Sequence, residues 1–371
     1  MSQPQLEIQL IAVLVAVACA LPGVFLVLRR AAMLSDAISH SILLGIVLAY
    51  FVVHDLSSPF LVVAAAATGV LTVWLVESLT RTQLIRNDAA TGLVFPTLFA
   101  IAVIIIAQRA RTLHLDTDSV LLGELAFAPF NRFEIAGRDV GPISAWVMGG
   151  ILLLNVIFIG LFFKELKLAT FDPGFAKAQG FAPGLLHYAL MTLVSVTAVG
   201  AFDAVGSVLV VALMIAPAAT ALLLSPSLAK VLVLAGLIGA VSAISGYWVA
   251  HTLDASIAGS MATMCGLIFT AVYLFAPPSG LVSQLRRRQQ QRIEFALKML
   301  AVHLAQHESR PEAVTENRID HLGEHIRWTE DFARRVVRRA VQAQIVEASD
   351  GALILTPKGR ELAAESVVEG R

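Results

Sequence analysis

The chain has 371 residues, 57% of them hydrophobic and only 15% charged, with a mean hydropathy of +0.78 and no net charge. That composition excludes an ordinary water-soluble fold and indicates a polytopic helical membrane protein. The two cysteines, Cys19 and Cys265, each lie in an apolar run, which excludes a disulfide framework or zinc cluster and leaves them as small buried hydrophobes.

Apolar runs fall at about 8–28, 31–53, 59–79, 91–107, 142–163, 184–201, 205–224, 229–250 and 256–276. A span needs about 20 such residues, so eight or nine transmembrane helices are expected, the fourth and sixth runs being short. The first run lacks a basic leader and a small-residue cleavage site, and it reads as a retained span. With nine spans, Arg29, Arg30, Arg81, Arg86, Lys164, Lys167, Lys177, Lys230 and Arg286 to Arg288 share one side. The positive-inside rule makes that side cytoplasmic, with the N-terminus outside and the C-terminus inside. Residues 108–140 oppose this assignment, because Arg109, Arg111, Arg132 and Arg138 would be external. A re-entrant or interfacial turn over residues 121–127, covered by protein or water, is one resolution; a miscounted span is the other.

The second run carries Asp36 and His40, four residues apart and therefore on one face of a helix. From a start near Arg30, His40 lies roughly 15 Å along the helix at 1.5 Å per residue, near the middle of a core about 30 Å thick. Intramembrane ionisable pairs are costly and face a water-filled path or another polar group. A carboxylate and an imidazole at this spacing also suit a divalent metal. The plainer alternative is that Asp36 caps the helix start and His40 bonds a backbone carbonyl.

Small residues are dense at 64–69, 149–150 and 216–221, as bundle packing in lipid requires, and Pro96 and Pro217 mark expected kinks. Between the fifth and sixth runs, Asp172 can cap a short helix with Pro173 at its first position, ended by Gly180. Such a helix, presenting Phe175 and Lys177 on the cytoplasmic side, is either a docking knob for a soluble partner or an amphipathic interfacial helix.

Charge density changes near Gly280: residues 1–280 hold 12 of the 27 Lys and Arg and 14 of the 27 Asp and Glu. Two domains follow, a transmembrane domain at 1–280 and a cytoplasmic one at 281–371. In the latter, 292–306 and 328–344 read as amphipathic helices. Asp350-Gly351 between apolar runs signals a hairpin, and Thr356-Pro357 opens a last helix. This order resembles a winged-helix domain, so the fold class expected overall is an all-α polytopic membrane protein with a small α+β winged-helix-like cytoplasmic domain. Arg334, Arg335, Arg338 and Arg339 would line its recognition helix. Glu330, Asp331 and Glu347 dilute that patch and a membrane tether restricts it, so protein contact is expected rather than nucleic acid. His303, His307, His321 and His325 form two i,i+4 pairs, read either as a regulatory metal site or as solvated surface histidines.

No HExxH motif, nucleophile with base, or paired catalytic carboxylates lies in the spans, and no P-loop is present. The chain is therefore not expected to be an enzyme or to energise transport itself.

The segment from Val27 through Arg29, Arg30, Ser35 and Asp36 to His40 resembles the signature of the manganese, zinc and iron ABC importer permeases. Asp88 to Phe95, His114 to Gly123 and Val205 to Thr220 agree with that family in order, over roughly residues 8–276. The resemblance implies a bacterial cytoplasmic-membrane permease working as a homodimer or with a paralogue. Its implied partners are two cytoplasmic ATPases, an extracytoplasmic metal-binding protein and the bilayer. No cofactor is bound permanently; the metal is cargo, with manganese or iron preferred over zinc on the resemblance of the fused tail. Asp36 and His40 match the family's pathway residues. Phe171, Asp172, Pro173, Gly174, Phe175, Lys177 and Gly180 match its ATPase-coupling segment. His251 and Asp254, at an external helix end, are weaker metal candidates, because His251 departs from the family pattern. A membrane-anchored metal-responsive regulator acting through the tail is the alternative function.

Overall fold

The computed structural model describes residues 2–54, 58–109, 125–135, 138–277, 279–308, 328–349 and 352–369. They form two compact units, Met1–Gly280 and Leu281–Arg371. In the first, α1 (Gln3–Leu28), α2 (Ala32–Val53), α3 (Pro59–Arg81) and α4 (Asn87–Arg109) come first. A 3-10 turn (Leu125–Phe130) and a hairpin, β1 (Arg132–Ile135) and β2 (Arg138–Pro142), lead into α5 (Ile143–Leu161). Then follow two short helices, α6 (Phe163–Phe171) and α7 (Pro173–Ala178). Four long helices close the unit: α8 (Pro183–Val205), α9 (Ser207–Leu224), α10 (Leu228–Leu253) and α11 (Ile257–Phe275). Nine helices among the described residues, α1 to α5 and α8 to α11, are long and apolar enough to cross a membrane. The fourth and sixth, short on sequence, are full-length at 87–109 and 183–205.

The centre of this unit is α1, whose residues from Ile11 to Leu26 are mostly inaccessible, packed among α5, α8, α9 and α10. Small residues make that packing possible. A methyl group added at Gly23 would stand 1.9 Å from the carbonyl oxygen of Met214 on α9. One at Gly45 of α2 would stand 2.4 Å from the carbonyl oxygen of Ala64 on α3. Lipid supplies no hydrophobic force between helices, so such close backbone approach is what holds them. Polar stitches add direction: Asn155 of α5 donates to the Ala18 carbonyl at 2.8 Å and to Thr197 of α8 at 3.1 Å. Thr72 of α3 donates to Ser41 of α2 at 2.7 Å.

The hairpin after the 3-10 turn was not legible in the sequence. Residues 121–124 of the expected re-entrant turn lie outside the described residues; from Leu125 on, the chain forms the 3-10 turn, with Leu125 buried and Phe127 and Phe130 exposed. Arg132, one of the cations that opposed the assigned orientation, is held by carboxylates. It forks onto Glu7 of α1 at 2.9 and 3.2 Å and pairs with Asp139 across the hairpin. The Gly141 N–H and then Arg132 keep the Asp139 carboxyl below its usual range, so this cation carries its own counter-charges.

The second unit comprises α12 (Leu281–His307), α13 (Glu330–Gln342), an antiparallel hairpin of β3 (Val346–Ser349) and β4 (Ala352–Leu355), and α14 (Pro357–Glu369). Leu300, Leu304, Val336, Val346, Leu353 and Leu355 form its core. Thr356 accepts from the Gly359 N–H at 3.1 Å and so opens α14. The first helix is longer than the 292–306 expected, because the basic run 286–288 continues it.

Gly23→Ala is expected to force α1 from α9 and, as overpacking does, remove about 1–3 kcal/mol of stability, read as a lowered unfolding midpoint in detergent. Gly150→Ala, with nothing within 4 Å of the added methyl, is expected to leave that midpoint unchanged.

Candidate functional site

The two residues singled out in the second span meet. Nε2 of His40 lies 3.3 Å from Oδ1 of Asp36, with side chains 28% and 38% exposed. The turn joining α1 to α2 uses Arg30 in the left-handed region, φ +56, and α2 starts at Ala32 with Ala31 as its cap. Asp36 is therefore in the second turn, with no role in capping, and His40 faces a carboxylate. The capping alternative is corrected on both counts. At 1.5 Å per residue, His40 is about 12 Å along α2. Phe95 of α4 stacks against its ring at 5.9 Å and Phe99 meets it edge-on at 6.0 Å. The two rings restrict the imidazole to few orientations and leave the pair open on the remaining side.

One carboxylate and one imidazole make two donors. Among the described residues no group of three or more His, Cys, Asp or Glu is placed to hold a metal. The arrangement can grip a divalent ion loosely, with water or another subunit supplying the remaining ligands, and cannot enclose one as a structural site does.

The other site residues are not brought to this pair. His251 sits in the last turn of α10, stacked on Tyr247 at 6.2 Å, and Asp254 ends that helix with φ +51. His303 and His307 stand with ring centroids 4.8 Å apart on α12. Glu308 beside them is taken by Arg360 at 2.6 Å, whose guanidinium holds its carboxyl below the usual range. His321 and His325 lie outside the described residues.

Between α5 and α8, α6 ends at Phe171. Asp172 caps α7 by accepting from the Phe175 N–H at 2.9 Å, Pro173 takes the first position and Gly180, at φ +86, turns the chain away. Gly174 and Lys177 are exposed, and Phe171 and Phe175, at 60% and 51%, point two aromatic rings into solvent while Ala176 beneath is buried. The capped short helix thus presents two apolar rings at its surface.

A second polar cluster was not legible in the sequence. Glu77 of α3 accepts from Tyr188 at 2.6 Å and pairs with His187 at 2.5 Å, both on α8, and His187 is reached by Arg29 at 3.1 Å. The signal was present, since Glu77 and His187 are ionisable residues at the margins of apolar runs, but nothing in spacing joins residues so far apart in the chain.

Residues 5–276 match the ABC 3 transport family. The chain is 48% identical over 358 residues to "Zinc transport system membrane protein TroD" of Treponema pallidum, covering 96% of this chain and 97% of that protein. It is 46% identical over 272 residues to "Manganese transport system membrane protein MntD" of Bacillus subtilis, covering 73% of this chain and 92% of that one. Among solved structures, "PsaBC from Streptococcus pneumoniae in complex with Fab" is similar with a TM-score of 0.63 at 25% identity, over 75% of this chain and 94% of that chain. Nine apolar helices among the described residues, an open ionisable pair on one of them and no ATP-binding motif in the sequence agree with those matches. The chain belongs to the ABC 3 transport family: it is a multi-pass membrane permease subunit of an ABC importer, and ATP hydrolysis lies on a partner.

Proposed function

We propose that this permease moves a divalent transition metal, manganese, iron(II) or zinc, into the cytoplasm past Asp36 and His40. The observation that carries the reading is the pair itself: two hard-to-borderline donors at 3.3 Å, partly exposed, within a span. Cargo has to be released, and an incomplete donor set favours release where a closed tetrahedral cage would retain the ion. The missing ligands suit a second permease subunit, a copy or a paralogue. The relative matched along the whole chain, tail included, is named for zinc and the one matched over the spans for manganese. Neither the tail nor this donor set therefore chooses the metal.

The membrane domain, 1–280, is read with its N-terminus outside a bacterial inner membrane and its C-terminus cytoplasmic, on the distribution of Lys and Arg. The α6–α7 knob, from Phe171 to Gly180, is then the docking point for a cytoplasmic ATPase dimer. The opposite end, with His251 and Asp254, receives the extracytoplasmic metal-binding protein. Residues 281–371 form a winged-helix-like cytoplasmic domain used for protein contact and not for nucleic acid, in which His303, His307, His321 and His325 are regulatory metal candidates. As an alternative, a membrane-anchored regulator gains no support from the family match, and nine spans far exceed what an anchor needs.

In cells carrying the complete transport system, Asp36→Ala and His40→Ala are expected to lower radioactive manganese and zinc uptake at least about tenfold, as loss of metal-site groups does, at normal membrane abundance. Unchanged uptake would return the pair to a structural role. Phe175→Asp, which puts a charge on the apolar knob, should abolish co-purification of the ATPase while the permease itself still reaches the membrane.

A further inference from the structure

One end of the bundle holds a continuous chain of polar side chains that starts beside the α6–α7 knob. Thr170, the penultimate residue of α6, accepts from Nε of Arg29 at 3.1 Å, and Nη1 of the same guanidinium lies 3.1 Å from Nδ1 of His187. On the far side of the ring, Nε2 lies 2.5 Å from Oε1 of Glu77, an ion-pair contact outside hydrogen-bond geometry, while Oε2 accepts from Tyr188 at 2.6 Å and faces Arg81 at 3.5 Å. A guanidinium can only donate, so Nδ1 must be the accepting nitrogen and Nε2 the one that carries the proton toward Glu77. The order Arg29, neutral His187, Glu77 is thus fixed by chemistry as well as by distance. Glu77 and His187 are only 25% and 22% exposed, so these bonds are poorly replaced by water.

What distinguishes this chain from an ordinary helix clamp is where its ends attach. Thr170 is two residues ahead of Asp172, the cap of α7. Arg29 ends α1, and the next residue, Arg30, makes the left-handed turn into α2, which carries Asp36 and His40. We propose that Arg29, bonded to Thr170 and braced by His187 and Glu77, is a latch that transmits displacement of the α6–α7 segment to the α1–α2 turn, making these residues positioning residues for transport. The inference rests on the import function proposed above, since a latch of this kind has meaning only if α7 is driven and the Asp36–His40 pair handles cargo.

The test reconstitutes the full transporter with its ATPase in proteoliposomes and measures uptake of manganese, iron(II) and zinc together with ATP hydrolysis. Thr170→Val removes the acceptor for Arg29 with little change of shape; Glu77→Gln and His187→Gln loosen the brace behind Arg29. Each is expected to keep hydrolysis close to wild type while uptake per ATP falls about tenfold, the scale of one lost hydrogen bond to a charged group. Thr170→Val combined with Glu77→Gln should fall no further than Thr170→Val alone, because the brace acts on the α6–α7 segment only through the bond between Arg29 and Thr170. Uptake and hydrolysis falling in parallel, or an unchanged ratio, would overturn the latch. If Glu77→Gln does not assemble, Thr170→Val alone separates the same two outcomes. Absence of ATP-driven uptake by the wild-type complex would instead sink the import function itself.

Discussion

A polar atom placed in hydrocarbon has no water to bond, and that cost shapes this chain from end to end. Several polar side chains that enter the bundle meet a carbonyl or each other: Asn155 bridges Ala18 and Thr197, and Thr72 reaches Ser41. Interhelical bonds of this kind contribute on average only about 0.6 kcal/mol in membranes. They fix rotation and register between helices without supplying most of the cohesion. Cohesion comes from close approach, at Gly23 against Met214 and Gly45 against Ala64, where a single methyl would not fit. The two devices are complementary, one setting distance and the other orientation.

Against that background Asp36 and His40 stand out because the bundle leaves them partly open. A charged group at the centre of a helix in a bilayer costs about 2.5–3.5 kcal/mol on insertion scales, and an apolar pair would avoid it. The rings of Phe95 and Phe99 cover part of the imidazole but offer no hydrogen bond to the carboxylate. Arg132 illustrates the contrary case: it pairs with Glu7 and Asp139, and its charge is neutralised within the structure. A fully paired cluster reads as architecture and an incompletely paired one as a place for something that comes and goes.

Much of this was legible in the sequence because membrane spans announce themselves by length and apolarity. The nine long helices, the cap at Asp172 and the opening of α14 at Thr356 all rest on local rules that act within a few residues. The Asp36–His40 contact was legible for the same reason, since i,i+4 spacing on one helix is local geometry. What escaped was nonlocal or weakly patterned. The β1–β2 hairpin has four- and five-residue strands in a polar stretch, too short for alternation to register. The Arg29–His187–Glu77 chain joins residues on three helices, and Arg29 taken alone reads as a membrane anchor.

On the function and latch proposed above, the distance tolerance of metal coordination links the two clusters. Ligand distances must hold to within about 0.2 Å for a site to bind its ion well, whereas helix shifts in switching proteins run to about 1–2 Å. Asp36 is seven residues beyond Arg29, fewer than two full turns once α2 has begun, so little compliant backbone separates them. A packed helix passes such a shift along its length instead of absorbing it. A displacement too small to disturb the packing of α2 against α3 and α4 is therefore large enough to make or spoil a two-ligand site. For cargo that has to leave, this favours a weakly built pair over a well-built cage: the weaker the site, the smaller the movement that empties it.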